Sequence, residues 1–297
     1  LKMLMMMLWD RADSEDDKPK YLQLMGDGSY FNRNLDPDGL NLLTFQSENS
    51  ESSVSSYVTD DYFGLLEEGM GEAAGDKLAI GVGRIPAPTL SHALAFVSKV
   101  ETYSGANEDP TAEAGCETDG SATIFGSWRN RIIFVTDDQD GNNNDGWRHM
   151  SDSEVHSDRV IENLNEYDVI KIYPDSYLQE ATPGGERYSA AEAEIARKVE
   201  EGALIIDYIG HGGDRGWAHE RILNTATIRE WTNKNRLPVF MTATCELSRY
   251  DDPEVESAGE MIVFNPNGGA VGMLTTTRTV FSGGNQQLNT AFFKTVL

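Results

Sequence analysis

Two short segments carry the side chains that could perform covalent acyl-transfer chemistry. Gly210-His211-Gly212-Gly213 follows an apolar run at residues 204–209, and Thr244-Cys245-Glu246 follows another at residues 238–242. The thiolate is the reactive form of cysteine, and a nearby imidazole can deprotonate it or hold it in an ion pair. The same imidazole can then protonate the leaving amine of a peptide. These residue types predict a nucleophile at Cys245 with His211 as its acid–base partner.

The two apolar runs are predicted to be neighbouring parallel strands, about 4.8 Å apart, joined by one helical crossover. Open α/β sheets form their sites beyond the carboxyl ends of the strands, so side chains that follow both runs can meet. Gly212 and Gly213 allow a tight turn that exposes N–H groups, which with the N–H of Cys245 could form an oxyanion hole. Singly, Cys245 could be a small buried hydrophobe and His211 a turn cap, so the prediction rests on their combination.

Other catalytic patterns are absent from the sequence or incomplete. It contains no Gly-x-Ser-x-Gly elbow and no P-loop, and the segment that opens with Gly26-Asp27-Gly28 lacks the last glycine of a dinucleotide fingerprint. His219-Glu220 begins like a zinc-peptidase motif, but the second histidine is missing. His92, His149 and His156 show no ligand spacing with cysteine, so we predict no zinc site and no required cofactor.

The composition is that of an acidic globular protein. Among 297 residues, 49 Asp and Glu face 24 Lys and Arg, which gives a formal net charge of −25. Such a surface repels phosphate backbones and argues against a nucleic-acid partner. It could suit a cationic substrate or a Ca²⁺-rich medium, or it can be an ordinary solvated surface. Cys116 and Cys245 allow one disulfide but no disulfide framework, and Cys116 is interpreted as incidental.

Strand and helix patterns alternate along the chain. Apolar runs predict strands at residues 21–25, 42–45, 77–82, 131–136, 169–173, 204–209, 238–242 and 270–274. Helical periodicity is predicted at residues 89–103, 155–164, 189–200, 225–234 and 257–264. This alternation predicts an α/β fold with a mainly parallel sheet and helices on both faces.

Two details of these helices are specific enough to test. Leu90, Leu94, Val97 and Val100 fall on one apolar face of the first helix. Ser189 is predicted to cap the helix at 189–200, with Glu192 completing a capping box.

A boundary between two subdomains is predicted near residue 120. The Gly-, Glu- and Asp-rich stretch 104–121 is the best linker candidate. We therefore predict an N-terminal subdomain with its linker at 1–120 and a catalytic subdomain at 121–297. Apolar helical patterns at 1–9 and 291–297 lead us to expect a fragment of a longer chain.

Several segments resemble a known family. Asp207–Gly213, followed by Trp217, resembles the catalytic histidine segment of the gingipain-type cysteine peptidases, and Leu237–Cys245 resembles their cysteine segment. Within that family the chain is most similar to sortases of the type IX secretion system. That likeness is carried by Thr242–Asp252, Ser257–Glu260, Asn265–Gly269, Thr275–Arg278, Leu24–Tyr30, Asp60–Leu66 and Gly83–Pro86. The resemblance implies a caspase-like α/β fold of two subdomains, each with a mainly parallel sheet flanked by helices.

The resemblance also implies a function. A sortase of this kind is exported to the cell surface or outer membrane of a Gram-negative bacterium. There it removes the C-terminal signal domain from cargo proteins, works with other secretion components, and can transfer the cargo to a lipopolysaccharide acceptor. A gingipain-like secreted endopeptidase specific for Arg or Lys, and a non-catalytic surface scaffold, remain as alternatives.

Carried over by position, the family's catalytic roles fall on few residues. His211 would be the acid–base group and Cys245 the nucleophile, and Gly212 with Cys245 would supply the oxyanion N–H groups. A carboxylate that orients His211 is expected after the strand at 131–136. Asp137 is the first choice and Asp138 the alternative.

Substrate and metal residues follow less directly. The resemblance suggests Glu154, with Asp152 close by, as the acidic specificity residue, and Phe281 as an aromatic wall of the P1 pocket. The acidic run 137–145 could hold a structural Ca²⁺ through oxygen ligands of Asp138, Asp140 and Asn142, although its spacing is not that of an EF-hand. A solvated acidic loop explains the same run equally well.

Overall fold

The computed structural model describes residues 1–31, 39–47, 56–71, 76–106, 124–139 and 148–297. They form two compact units: residues 1–93 with 250–255, and residues 94–249 with 256–297. The division therefore falls inside helix α2 (Leu90–Ser104), before the predicted linker, most of which lies outside the described residues. The C-terminal part of α2 belongs to the second unit because it packs there, as the contacts of Lys99 show below.

The first unit contains helix α1 and four short strands. Their bounds are α1 Lys2–Asp10, β1 Tyr21–Met25, β2 Phe45–Gln46, β3 Val58–Thr59 and β4 Gly81–Ile85. β1 and β4 pair in parallel, and β2 and β3 pair antiparallel. Both β2 and β4 begin later than the runs predicted at 42–45 and 77–82. Met5, Leu66 and Ile80 form the centre of a small core in this unit.

The second unit is built on a five-stranded parallel sheet. Its strands are β5 Arg131–Thr136, β6 Asp168–Ile172, β9 Ile205–Ile209, β13 Val239–Ala243 and β14 Gly272–Leu274. The strand order is β14-β13-β9-β5-β6, and every pairing is parallel. The predicted parallel α/β sheet is confirmed.

Five helices besides α2, and two small antiparallel sheets, complete the described part of the second unit. The helices are α3 Arg148–Asn163, α4 Ser189–Glu201, α5 Thr225–Glu230, α6 Ala258–Phe264 and α7 Ser282–Val296. The small sheets consist of β7 Glu180–Thr182 with β8 Gly185–Arg187, and β10 Gly212–Gly213 with β11 Gly216–Trp217 and β12 Leu223–Asn224. Single 3₁₀ turns lie at Ser127–Asn130 and Pro174–Ser176 in this unit and at Asp61–Gly64 in the first unit.

Helices cover both faces of the parallel sheet. On one face Ile133, Tyr208 and Phe240 pack with residues of α4, α5 and α6. On the other face Phe134 packs with Val160 of α3 and Phe293 of α7. Because strand side chains alternate between faces, β9 sends Ile206 and Tyr208 one way and Ile205 and Asp207 the other. Helices on both faces hold the sheet in place, so the carboxyl ends of its strands form one edge with a fixed position.

Helix α2 turns a different face inward from the one predicted. Leu90, Leu94, Val97 and Val100 are all exposed, whereas Ala93 and Lys99 are buried. The Lys99 ammonium donates to the carbonyls of Val263 (2.6 Å) and Ile262 (3.2 Å) at the end of α6. A cation there stabilises the unpaired carbonyls of a helix C-terminus, while burial lowers the pKa of Lys99 to about 7.

The capping box predicted for α4 is wrong, and a different one is present. Tyr188 occupies the N-cap of α4 and makes no side-chain cap bond, while Glu192 pairs with Arg187 at 2.7 Å. The capping box that does form lies at α6, between Ser257 and Glu260. Among the described residues, no helix has both the length and the hydropathy needed to span a bilayer.

Candidate active site

The carboxyl ends of three adjacent strands finish at the same level. Thr136 of β5 and Ala243 of β13 are both register partners of Ile209 in β9. The ladder continues one residue further, since the N–H of Asp137 donates to Ile209 (3.1 Å) and the N–H of Gly210 donates to Ala243 (3.4 Å). His211 and Cys245 are each the second residue after their strand, so the predicted juxtaposition of the two segments is present in the sheet.

Glycine at position 212 permits this close approach. A Cβ there would lie 2.5 Å from Oγ1 of Thr244 and 2.8 Å from the carbonyl oxygen of Gly216. The backbone that follows His211 therefore touches the residue that precedes Cys245. Gly212 and Gly213 form β10, whose turn is closed by a bond from the N–H of Ala218 to the carbonyl of His211 (2.9 Å).

Asp137 binds the histidine segment from the neighbouring strand. Its Oδ2 accepts from the backbone N–H of His211 (2.8 Å), and its Oδ1 accepts from the N–H of Asp138 (3.1 Å). A carboxylate oxygen of Asp137 also lies within 4.8 Å of a ring nitrogen of His211. Burial, followed by the nearby carboxylates of Asp138 and Glu220, raises the pKa of Asp137 to about 7 against the opposing effect of His211.

Asp138, the alternative orienting residue, faces elsewhere. Its Oδ2 accepts a hydrogen bond from the hydroxyl of Tyr188 at 2.9 Å. Burial and this carboxylate raise the pKa of Tyr188 well above its ordinary value. Of the two candidates, Asp137 is thus the one whose carboxylate holds the His211 segment.

The cysteine segment is held by the chain that leads into α7. The N–H of Val280 donates to the Cys245 sulfur (3.4 Å), and the N–H of Glu246 donates to the carbonyl of Arg278 (3.3 Å). The Cys245 thiol in turn donates to the carbonyl oxygen of Val280 (3.7 Å). Glu246 has a left-handed backbone with φ of 55°, a strained conformation that often accompanies functional sites. Cys245 is a free, partly buried thiol.

Two further histidines surround His211. The ring of His149 in α3 makes an edge-to-face contact with His211 (5.0 Å between centroids), and the ring of His219 stacks on it at 5.7 Å. Neither contact follows from the sequence, because His149 precedes His211 by 62 positions without ligand spacing and His219 shows only an incomplete zinc motif. Only the fold brings them together.

Two overlapping groups of side chains could hold a cation. Asp137, His149 and His211 place one ligand atom each within 4.8 Å of one another, as do Asp137, Asp138 and Glu220. The three carboxylates suit a hard cation such as Ca²⁺, whereas the histidine group would occupy the acid–base residue. Of the predicted Ca²⁺ ligands, Asp140 and Asn142 lie outside the described residues, so the Ca²⁺ site stays a prediction.

The residues predicted for substrate specificity lie on different faces of α3. Glu154 is exposed, whereas Asp152 is buried on the same face as His149. Asp152 lies 3.8 Å from the guanidinium of Arg148, one turn earlier in the helix. Asp152 therefore shares the buried face of α3 with His149 and Glu154 does not, and the specificity role of either residue stays a prediction.

Phe281 lies directly after Val280, which contacts the Cys245 sulfur, and it precedes α7. Its side chain is 73% exposed, which leaves the ring free to contact a substrate. Two residues further on, a Cβ at Gly283 would lie 4.0 Å from Nη2 of Arg148. The start of α7 and the start of α3 are therefore adjacent beside Cys245.

Comparisons with known proteins agree with this architecture. A model described as peptidase family C25 matches residues 1–297. The crystal structure of the Arg-specific cysteine proteinase gingipain R (RgpB) is 14% identical with a TM-score of 0.64, over 99% of this chain and 57% of that one. The complex of the Porphyromonas gingivalis RgpB pro- and mature domains gives 13% and 0.66 over the same shares.

A third solved structure, described as a protease, is 16% identical with a TM-score of 0.61 over 96% of this chain and 51% of its own. No curated protein matches the chain. At these identities the likeness establishes the fold, so the predicted caspase-like α/β class is confirmed. The chain spans only a little over half the length of these solved relatives.

Proposed function

The chain belongs to peptidase family C25, and on that premise we propose that it is a cysteine endopeptidase whose nucleophile is Cys245 and whose acid–base residue is His211. One observation carries the proposal. β9 and β13 are adjacent parallel strands whose ends are in register at Ile209 and Ala243. Because His211 and Cys245 follow these ends by the same two residues, their side chains can act on one peptide bond.

Each group in the site has a step to perform. His211 takes the thiol proton of Cys245, and the resulting thiolate attacks the scissile carbonyl carbon. The N–H groups of Gly212 and Cys245 bind the oxyanion that forms. His211 then donates its proton to the leaving amine, which departs and leaves an acyl group on the sulfur. Asp137 keeps the His211 segment in place and stabilises the imidazolium by its negative charge.

The biological role that we propose is that of the type IX secretion sortase, PorU. It would cleave the C-terminal signal domain from cargo proteins at the cell surface or outer membrane of a Gram-negative bacterium. It would then transfer the acyl group to a lipopolysaccharide acceptor, together with other secretion components. The support is the sequence likeness of the cysteine segment and its flanks, from Thr242 to Asp252 and from Thr275 to Arg278.

The ion pair between Asp152 and Arg148 argues against the second candidate function, that of an endopeptidase specific for Arg or Lys. A basic P1 side chain needs a carboxylate that is free to receive it. Here the partly exposed Arg148 already lies 3.8 Å from Asp152, and Glu154 is exposed on another face of α3. An internal guanidinium therefore competes for the charge that an arginyl substrate would use.

This competition predicts a gain of activity. In Arg148→Ala the Asp152 carboxylate is released, so kcat/KM for short arginyl substrates should rise, by roughly fivefold to tenfold for one charged contact. Substrates with a neutral P1 residue should change little. Arg159→Ala, which removes an exposed arginine from the same helix, is the control. An unchanged or lower arginyl rate in Arg148→Ala would show that Asp152 takes no part in P1 recognition.

The sortase role is tested by cargo processing in the organism that makes the protein. In Cys245→Ala, cargo should keep its C-terminal signal domain and run at a higher mass. Cys116→Ala changes the other cysteine of the chain and should process cargo normally. Normal processing in Cys245→Ala would refute the role. Equal labelling of the Cys245 thiol in the native protein and in His211→Ala would favour the non-catalytic scaffold.

A further inference from the structure

An open cleft lies beside the histidine segment, and of its lining residues the proposed mechanism uses only Gly212. Its volume is about 860 Å³. It is formed by β10, β11 and β12 and by the turns between them, and Arg187 of β8 closes one side. The walls include backbone of Gly212 and Gly213, so the cleft begins directly after His211.

The charge of this cleft is opposite to that of the chain. The whole sequence carries −25, yet three guanidinium groups, those of Arg187, Arg215 and Arg221, line the cleft against one carboxylate, Asp214. Arg215 and Arg221 are exposed. Across the part of the chain that the structure describes, no carboxylate forms an ion pair with either of them. Two unpaired arginines in one cleft of an acidic protein indicate a site for an anion.

The walls of the cleft are fixed in position. Arg187 is held by Glu192 at 2.7 Å, and the other oxygen of Glu192 accepts from Asn224 and Thr227. Ala218 and Arg221 both have left-handed backbones with φ of 58°. Left-handed backbone outside glycine is uncommon and tends to occur at binding and catalytic sites.

The cleft also shares a wall with the acid–base residue. The ring of His219, which lines the cleft, stacks on His211 at 5.7 Å, and the N–H of Ala218 donates to the His211 carbonyl at 2.9 Å. A group bound in the cleft is therefore next to the imidazole that protonates the leaving amine. A peptide side chain bound in the cleft would therefore belong to the leaving part of the substrate, on the carboxyl side of the scissile bond.

We infer that this cleft is a substrate subsite that takes an acidic side chain on the leaving side of the cleaved peptide. Arginine forms paired hydrogen bonds with carboxylates, and the exposed Arg215 and Arg221 are the groups available to do so. The inference rests on the proposed peptidase function, but it concerns selectivity rather than turnover. An acidic residue a few positions after the scissile bond would place the leaving amine at His211.

Matched peptides test the inference. The purified protein is given two peptides that differ only by Glu or Gln within three residues after the cleaved bond. We expect kcat/KM to favour the Glu peptide by about tenfold, and this preference to shrink as salt screens the charges. In the double variant R215Q/R221Q the preference should disappear, while cleavage of the Gln peptide persists. Arg229→Gln removes an exposed arginine of α5 outside the cleft and should keep the preference.

The outcomes separate this inference from the proposed function. Cleavage of both peptides at equal rates, abolished by Cys245→Ala, would keep the peptidase and overturn the subsite. If neither peptide is cleaved, binding of the labelled Glu peptide to the Cys245→Ala protein decides, because binding needs no turnover. Equal binding by that protein with and without R215Q/R221Q would overturn the subsite. If R215Q/R221Q loses only the transfer of the acyl group onto an anionic acceptor, the subsite inference is also overturned. The cleft would then bind the acceptor.

Discussion

Asp137→Asn is expected to lower kcat/KM by up to about ten-thousandfold, which is the loss of kcat when the carboxylate of a serine-protease triad becomes an amide. The two Asp137 oxygens accept from two backbone N–H groups, those of His211 and Asp138. An amide has one oxygen and can serve only one of them, so the other would face an NH₂ donor. The variant also lacks the negative charge that stabilises the His211 imidazolium in the proposed mechanism.

The pH profile distinguishes this positioning role from a general loss of structure. Burial raises the pKa of Asp137 to about 7, so the carboxylate loses its charge as the pH falls through that value. The kcat/KM of the native protein should therefore decline below about pH 7. In Asp137→Asn this decline should be shallower, because position 137 no longer titrates.

Asp138→Asn is the matched comparison, since it removes the same charge from the adjacent buried residue. Asp138 accepts from the Tyr188 hydroxyl, so the loss of activity should be much smaller. A larger loss in Asp138→Asn than in Asp137→Asn would reverse the assignment. Circular dichroism and thermal unfolding of both variants check that the comparison is made between folded proteins.

The parallel sheet could be predicted from sequence because its strands are buried on both faces. Such strands appear as short apolar runs between turn residues, and residues 131–136 were predicted with the bounds that β5 has. The adjacency of β9 and β13 followed from the same pattern, although the run predicted at 238–242 stops one residue before β13 ends at Ala243. This is why the two catalytic candidates could be found without a structure.

The sequence did not predict the buried faces of helices α2 and α3, because both helices bury polar side chains. Helix α3 begins at Arg148, and the prediction from residue 155 missed its first two turns. The buried face of α3 carries polar side chains in place of the aliphatic residues that reveal a helix in a sequence: His149, Asp152, Ser153, His156 and Ser157. Helix α2 buries Lys99 and exposes its apolar face, because the Lys99 ammonium meets the carbonyls at the end of α6. In both helices tertiary hydrogen bonds and ring contacts override the apolar periodicity.

A buried carboxylate in the central strand should control the pH dependence of stability. Asp207 of β9 is fully buried, and its Oδ1 accepts from Nδ2 of Asn289 in α7 at 2.9 Å. Among the described residues, Oδ2 of Asp207 and Oδ1 of Asn289 have no hydrogen-bond partner. A proton on Oδ2 supplies the missing donor, because a carboxylic acid and an amide can form two hydrogen bonds with each other.

Protonation of Asp207 in the folded state fixes the sign of the effect. Burial raises its pKa from 3.8 to about 8, so between these values the folded protein holds a proton that the unfolded chain has released. The free energy of unfolding should therefore fall as the pH rises across this window. The contribution of this group approaches about 1.4 kcal/mol per pH unit.

Asp207→Asn should remove that contribution, because asparagine supplies the donor at every pH. The variant should match the native protein near pH 4 and exceed it by several kcal/mol near pH 8, as measured by urea unfolding across the range. Asp13→Asn, an exposed substitution in the first unit, should leave the native pH dependence unchanged. Asp207→Leu should be destabilised throughout, since it leaves the buried Asn289 amide without its acceptor. If Asp207→Asn is the less stable protein at pH 8, the carboxylate is ionised in the fold and a buried cation must balance it.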